Sequence, residues 1–236
     1  MANGFILEVR GVSKRFGGVT AVNRCSLALE GGKIFSLIGP NGSGKTTLFN
    51  LITGVERCDE GQIYFKGERI NHLPPHKIAW RGIGRTFQLI RVFPELTTLE
   101  NLLVVASQDW DSSRRRALEL LSFVKLDQLK GEFAGNLSYG QQRLLEFARV
   151  LMLDPILILL DEPAAGVNRT LLNDLLSAIQ GLQALGKTIL IVEHDMKVVM
   201  DLSEKIFVLD HGEKLVEGAP SVIQSDPRVM EAYFGR

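Results

Sequence analysis

Short apolar runs recur along the chain, set apart by glycine-rich turns and by longer amphipathic stretches. Residues 5–12 and 19–29 read as strands separated by Phe16-Gly17-Gly18. Residues 33–38 and 156–160 are apolar almost throughout, as strands covered on both faces should be. Residues 188–192 form a further strand, followed by Glu193-His194, and residues 61–70 a hairpin turning at Gly67. Helical spacing follows the second of these strand groups: Leu48, Leu51, Ile52 and Val55 share one face, and Gly54 is placed to stop the helix. Pro74 and Pro75 open a short helix through Trp80, and a brief strand at residues 83–87 leads to Gln88. Thr97 and Glu100 have the N-cap and N3 spacing of a capping box, starting a helix that runs to Val105. Residues 107–113 read as a polar loop, with helices at 114–124 and 139–153, the latter stopped by Asp154-Pro155. A helix at 170–185, one at 196–202, a hairpin around Asp210-His211-Gly212 and two short helical pieces to Arg236 complete the chain.

This order predicts an α/β protein with a mainly parallel sheet and an antiparallel β subdomain. The core takes residues 1–87 and 154–236, and residues 88–153 form an inserted, mainly helical subdomain. No internal repeat or low-complexity segment appears.

The centre of the pattern is Gly39-Pro40-Asn41-Gly42-Ser43-Gly44-Lys45-Thr46, between a strand and a helix. Glycines allow consecutive backbone N–H groups to turn inward as a concave anion site, and the following helix start adds partial positive charge. Lys45 can reach outer phosphates, and the Thr46 hydroxyl can ligate magnesium. This spacing in this context marks a nucleoside-triphosphate site of the P-loop NTPase type, with Thr47 also at the helix start.

Composition narrows the setting. With 236 residues the chain suits one large domain or one with an insertion, and its 27 basic side chains balance its 27 acidic ones. No overall positive field draws it to nucleic acid or to anionic lipid. The Arg114-Arg115-Arg116 run reads as a solvated helix face. Cys25 and Cys58 lack metal-ligand spacing and suggest buried thiols in a reducing compartment. No secretory signal and no apolar run of membrane-spanning length appears, so the expectation is a soluble intracellular protein whose membrane partners, if any, supply the spanning helices.

Asp161 and Glu162, at the end of a buried strand, answer a second requirement of triphosphate hydrolysis. One carboxylate helps to hold the metal and another group orients or deprotonates water. Leu137-Ser138-Tyr139-Gly140-Gln141 opens a helix with a hydroxyl and a glycine, a second anion-binding helix start. Two such starts far apart in sequence suggest that they meet across a dimer. Two other residues stay open on spacing alone. Phe16 is either a loop aromatic tucked on the sheet or a ring for stacking on a base, and His194 is either a satisfied edge histidine or a phosphate contact.

Phe16, Gly39 to Thr46, Gln88, Leu137 to Gln141, the 156–162 strand and His194 occur in an order that resembles the ATP-binding subunits of ABC transporters over essentially the whole chain. The resemblance implies ATP and Mg²⁺ as ligands. It gives Phe16 the adenine, Thr46 and Gln88 the magnesium, and Asp161 the same ion through water. It makes Glu162 the catalytic base and brings His194 to the γ-phosphate. Ser138, Gly140 and Gln141 would face ATP held by a second subunit, identical or a sister chain. Integral-membrane permeases would be partners and a substrate-binding protein an indirect one, with no nucleic acid, and the chain would sit peripherally at the cytoplasmic face of the membrane. The sequence departs from the common pattern at Tyr139, where a second Gly is usual, and at Asn168, where many relatives carry Asp.

Arg85-Thr86-Phe87-Gln88, Arg91-Val92-Phe93, Leu96-Thr97, Leu99-Glu100-Asn101, the 164–168 segment and the closing Ala232-Tyr233-Phe234-Gly235 narrow the likeness to the LivG type of ATPase in branched-chain amino-acid importers. Residues 105–114 look shorter than in typical members. Urea and short-amide importers share much of the pattern, and a non-transport ABC ATPase module is a further alternative. The Leu89, Ile90, Val92 and Phe93 side chains serve either as a seat for a helix of a membrane partner or as ordinary packing.

Overall fold

A computed structural model describes residues 4–106 and 109–234, without the Phe234 side chain. Two sheets form the framework. β1 (Phe5–Phe16) and β2 (Val19–Glu30) pair antiparallel, and β4 (Glu60–Phe65) and β5 (Glu68–Arg69) extend them into a four-stranded sheet of order β2-β1-β4-β5. The second sheet has six strands in the order β10-β9-β3-β8-β7-β6. Its members are β3 (Ile34–Ile38), β6 (Ile83–Arg85), β7 (Leu157–Asp161), β8 (Thr188–Val192), β9 (Lys205–Asp210) and β10 (Glu213–Gly218). All of its pairings are parallel except the β9–β10 hairpin.

Apolar runs become two-sided strands because both faces of this sheet are covered. Leu157 and Leu159 face one core together with α1 (Lys45–Ile52) and the antiparallel sheet, while Ile158 and Leu160 face another with α5 (Tyr139–Leu151) and α6 (Arg169–Ala184). That second core also takes residues of α3 (Thr98–Leu103) and α4 (Trp110–Phe123), so the helical stretch shares its apolar interior with one sheet face. A third cluster joins Ile38 at the end of β3 to α7 (Met196–Leu202), α8 (Pro220–Ser225) and α9 (Pro227–Phe234). α2 (Pro75–Trp80) lies between the two sheets in the chain order.

Local signals held at the turns. Thr53 caps α1, and Gly54 follows at φ 71°, the left-handed conformation that glycine adopts without penalty. The hairpins turn at Lys66-Gly67 and His211-Gly212, with φ of 51° and 80°, and of 44° and 81°, the paired positive angles that suit a two-residue loop. The capping box of α3 is formed, Glu100 N–H donating to Thr97 Oγ1 at 3.2 Å and Thr97 N–H to Glu100 Oε2 at 2.8 Å.

Several boundaries differ from expectation. β1 continues past Val12 because a bulge near Gly11, at φ 57°, re-phases its pairing with β2, so that Val9 opposes Leu27 while Val12 opposes Cys25. Phe16 is therefore the last residue of a strand, and the turn itself is Gly17-Gly18. The expected polar loop at 107–113 is helical from Trp110 on, since Asp109 caps α4 by accepting from Ser112 N–H at 3.0 Å. Ser107 and Gln108, and the closing Gly235 and Arg236, lie outside the described residues. β6 ends at Arg85 rather than Phe87, because the carbonyls of Phe87 and Gln88 are bonded by an arginine from α5 and not by a strand.

Candidate functional site

The phosphate loop begins where β3 ends. Gly39 sits at φ 149°, and a Cβ there would lie 2.0 Å from the Leu209 carbonyl oxygen, so only glycine lets the loop start so close to β9. Gly44, at φ 101°, caps α1 without a side-chain bond, and a Cβ on it would lie 2.3 Å from the Ala21 carbonyl oxygen. The first turn of α1 thus keeps its backbone donors free of any capping side chain. Lys45 is buried, and its Nζ donates to the Gly39 and Pro40 carbonyls at 2.8 and 2.9 Å. Burial holds its ammonium pKa below the ordinary lysine value, against the raising influence of Glu162 and Asp161.

The acids follow from β7 and β8. Asp161 is the last residue of β7 and 1% exposed; its Oδ2 accepts from Arg85 Nη2 at 3.0 Å, and Oδ1 has no hydrogen-bond partner. Burial pushes this carboxyl up, and the Arg85 guanidinium opposes the shift. Arg85 is fixed in turn by Asn50 Oδ1 at 2.7 Å and Thr53 Oγ1 at 3.1 Å, both at or just past the end of α1. Glu162 takes φ 50°, an uncommon angle for a side chain with a Cβ, which turns the chain sharply off the strand. Its Oε1 lies 3.0 Å from His194 Nε2, and its Oε2 accepts from Gln88 Nε2 at 3.3 Å. Glu193 holds the two neighbouring loops: it accepts from the N–H groups of Ala164, His194 and Asp195 at 2.7, 3.0 and 3.4 Å. Burial pushes Glu193 up in pKa, and those three N–H groups oppose it.

Gln88 owes its place to α5. Arg143, 1% exposed, donates to the carbonyls of Phe87 at 2.6 Å and Gln88 at 2.9 Å, and pairs with Glu146 Oε2 at 3.2 Å. Glu146 Oε1 accepts from Arg91 N–H at 3.2 Å, and Arg149 donates to the Arg91 carbonyl. Arg143, Glu146 and Arg149 recur every three residues, so one stripe of α5 grips the segment 87–91. Of the apolar side chains there, Val92 packs into the helical core, while Leu89 is 79% and Phe93 46% exposed.

The start of that same helix faces outward. Ser138 caps α5 through a capping box with Gln141, Ser138 N–H donating to Gln141 Oε1 at 2.9 Å and Gln141 N–H to Ser138 Oγ at 3.4 Å. Gly140 is buried against α6, where a Cβ would stand 2.7 Å from Leu171 Cδ1. The two departures noted in the sequence lie in one region: the Tyr139 ring covers Gly166, and Asn168 caps α6 by accepting from Leu171 N–H at 3.1 Å.

A cavity of about 350 Å³ collects Asn41, Gly42, Gly44, Lys45, Thr46, Thr47, Gln88, Glu162 and His194, with Ala21 on its wall. Ser138, Gly140 and Gln141 do not line it, nor does Phe16, which is 46% exposed with Lys14 Nζ 5.2 Å from its ring centroid. Gly39, Ser43 and Asp161 are not among the cavity's lining residues, and Ser43 lines a neighbouring cavity. Magnesium fits this donor set: a threonine hydroxyl, a glutamine amide and a carboxylate are hard oxygen ligands, and Asp161 Oδ1 is a buried acceptor that still lacks a partner. No cluster of three or more His, Cys, Asp or Glu able to hold a metal occurs among the described residues. Ala21, Arg85, Arg143 and Glu193 were assigned no place in the site from the sequence, although Arg85 belongs to a motif that carried the family likeness. For Arg143 and Glu146 a signal was present, since two opposite charges inside the apolar face of a helix mark an internal pair.

Comparison with known proteins identifies the relatives of the chain. The family model described as ABC transporter matches residues 22–165, and that of the branched-chain amino acid ATP-binding cassette transporter matches residues 213–236. The chain is 43% identical to the high-affinity branched-chain amino acid transport ATP-binding protein BraF of Pseudomonas aeruginosa, covering 98% of both chains. It is 41% identical to the corresponding protein LivG of Escherichia coli K12, again over 98% of each. Among solved structures, a nucleotide-free ATP-binding cassette from an ABC transporter superposes with a TM-score of 0.90 at 35% identity, over 98% of this chain and 100% of that one. A dimeric cassette in a post-hydrolysis state with ADP and Pi superposes with a TM-score of 0.82 at 29% identity, over 91% and 98%.

Proposed function

The chain belongs to the ABC transporter family, and we propose that it is the ATP-hydrolysing subunit of an importer for branched-chain amino acids. The observation that carries the reading is the convergence of Gln88, Glu162 and His194 on the Lys45 loop, in one cavity of about 350 Å³. The cargo assignment rests on the curated relatives and on the match at residues 213–236.

In this reading the N–H groups of the phosphate loop and the start of α1 bind the triphosphate, and Lys45 leaves the Gly39 and Pro40 carbonyls for the outer phosphates. Thr46 and Gln88 would hold magnesium directly and Asp161 through water, and the bound ion would supply charge neutralisation at the outer phosphate oxygens. Glu162 orients and deprotonates the attacking water, and His194, 3.0 Å from that carboxylate, contacts the γ-phosphate. Phe16 stacks on adenine.

Ser138, Gly140 and Gln141 complete the site of a second ATP-binding subunit, and that subunit's own helix start completes this one. The likeness to a dimeric cassette supports such a pair. ATP at the interface favours the closed dimer because only the closed state offers it both sets of contacts. Residues 88–153 then act as the unit that turns with nucleotide state, pulled through Gln88. Leu89 and Phe93 seat a helix of the integral-membrane permease, and a substrate-binding protein delivers cargo on the far side. No helix among the described residues is long and apolar enough to cross a membrane; the family likeness supports a peripheral seat at the cytoplasmic face.

The test is reconstitution with the copurifying membrane subunits in proteoliposomes. ATP-driven uptake of labelled leucine is the expected result. Uptake of urea without leucine would move the cargo to the short amides, and phosphate release with no membrane partner would leave a non-transport ATPase.

A further inference from the structure

Gly39 is held at both of its polar groups by side chains from other parts of the fold. Its carbonyl accepts from Lys45 Nζ at 2.8 Å, and its N–H donates to Tyr233 Oη, on the last helix of the chain, also at 2.8 Å. Tyr233 packs against the apolar cluster that seats α9 and that also holds Ile38, the residue preceding Gly39. Burial pushes the phenol up in pKa, so it stays a neutral hydroxyl.

The rest of α9 is loosely enclosed. A cavity of about 500 Å³ separates Pro40 to Ser43 from Arg228 and Ala232. Another, of about 400 Å³ and largely apolar, lies between α7, α8 and α9, bounded by Met196, Met200, Met230 and Tyr233. Val229, 5% exposed, and the Tyr233 hydroxyl are therefore among the points that fix α9, and the hydroxyl touches the phosphate loop. The start of that loop has no slack, because the Leu209 carbonyl occupies the space where a Cβ on Gly39 would stand.

We infer that Tyr233 is a positioning residue for the phosphate loop: the C-terminal helix presets Gly39 for nucleotide, and nucleotide on the loop in turn tightens the C-terminal helix. The inference rests on the ATP-binding reading of that loop. When Lys45 moves to the phosphates, Gly39 loses one of its two anchors, and the Tyr233 bond keeps the loop entrance in register. Coupling between the loop and α9 is reciprocal, since any bond stronger in the loaded state stabilises both partners in it.

Tyr233→Phe in the full chain removes the hydroxyl and keeps the ring. In the nucleotide-free protein the Gly39 amide should exchange its hydrogen faster than in the wild type. A non-hydrolysable ATP analogue with Mg²⁺ should bind about two- to tenfold more weakly, the range for one lost neutral hydrogen bond, and KM for ATP should rise alike with kcat unchanged. Val229→Ala loosens α9 without removing the Tyr233 bond, and should lower the melting temperature while costing clearly less analogue affinity than Tyr233→Phe. Unchanged Gly39 exchange in Tyr233→Phe would overturn the inference, as would a loss of affinity equally large in Val229→Ala or an effect on kcat alone. A wild-type chain that failed to bind the analogue would instead remove the nucleotide reading, and the exchange measurement would still report on Tyr233.

Discussion

Arg143 on α5 donates to the backbone carbonyl of Gln88 at 2.9 Å, so the helix that begins at Ser138 also grips the loop that reaches Glu162. The same guanidinium holds Phe87 and Glu146. A helix whose N-terminus is offered outward and whose body holds Gln88 cannot rotate without moving Gln88. The outward helix start and the Lys45 cavity are thus tied within one chain by a buried, charged bond.

Removing one member of this network should cost far more than removing both charges. Arg143→Met strands the Glu146 carboxylate and two carbonyls in a buried site, and we expect a loss of about 3–5 kcal/mol in urea denaturation. Arg143→Met combined with Glu146→Met removes the uncompensated carboxylate and should recover a large part of that loss. Equal losses in the single and double variants would show that the two side chains do not act as a pair.

Glu162→Gln should keep nucleotide binding and lose hydrolysis. Loss of a general base lowers the rate by about 10²–10⁴, and the variant should accumulate as an ATP-dependent dimer on gel filtration. Rapid phosphate release by this variant would take Glu162 out of its role.

The glycines of the phosphate loop should respond differently to alanine. Gly44→Ala places a Cβ 2.3 Å from a backbone oxygen, which cannot step aside, and should destabilise the fold by more than the about 1–3 kcal/mol of strain alone. Gly42→Ala meets nothing within 4 Å and carries only the strain of its φ of 79°. Melting temperatures and analogue titrations of the two variants compare a clash with a bare torsional penalty.

The cysteines should label unequally. Cys25 is 1% exposed, and burial pushes its thiol up to about 11, so thiolate is scarce at pH 8 and the side chain is out of reach. Cys58 is partly exposed beside Asn71. Iodoacetamide on the native protein should modify Cys58 alone, and on the urea-unfolded protein both; prompt native labelling at Cys25 would contradict its burial.

Much of this site was legible as local chemistry. The Gly39 to Thr46 loop, the acids after the 156–160 run and the Thr97–Glu100 capping box each depend on residues a few positions apart; the loop lies between strand and helix, the acids at the strand end, and the capping box is formed. The misplaced start of α4 shows where local reading weakens. Residues 107–113 are polar, yet Asp109 supplies a cap and the backbone satisfies itself from Trp110 on. The extension of β1 through Phe16 was hidden for a related reason, since a bulge at Gly11 resets the alternation by which strands are recognised.

From the sequence alone came the order of strands and helices, the phosphate loop, its acidic partners and the family likeness, because backbone conformation and anion binding are set by neighbouring residues. The tertiary structure decided that Arg143 anchors Gln88, that Glu193 braces the Glu162 and His194 loops, and that Tyr233 holds Gly39. The bonds of Arg143 to Gln88, of Ala164 to Glu193 and of Gly39 to Tyr233 join residues 55, 29 and 194 positions apart in the chain. Periodicity records which face of an element is buried, but the partner that a buried polar group meets there is chosen by packing.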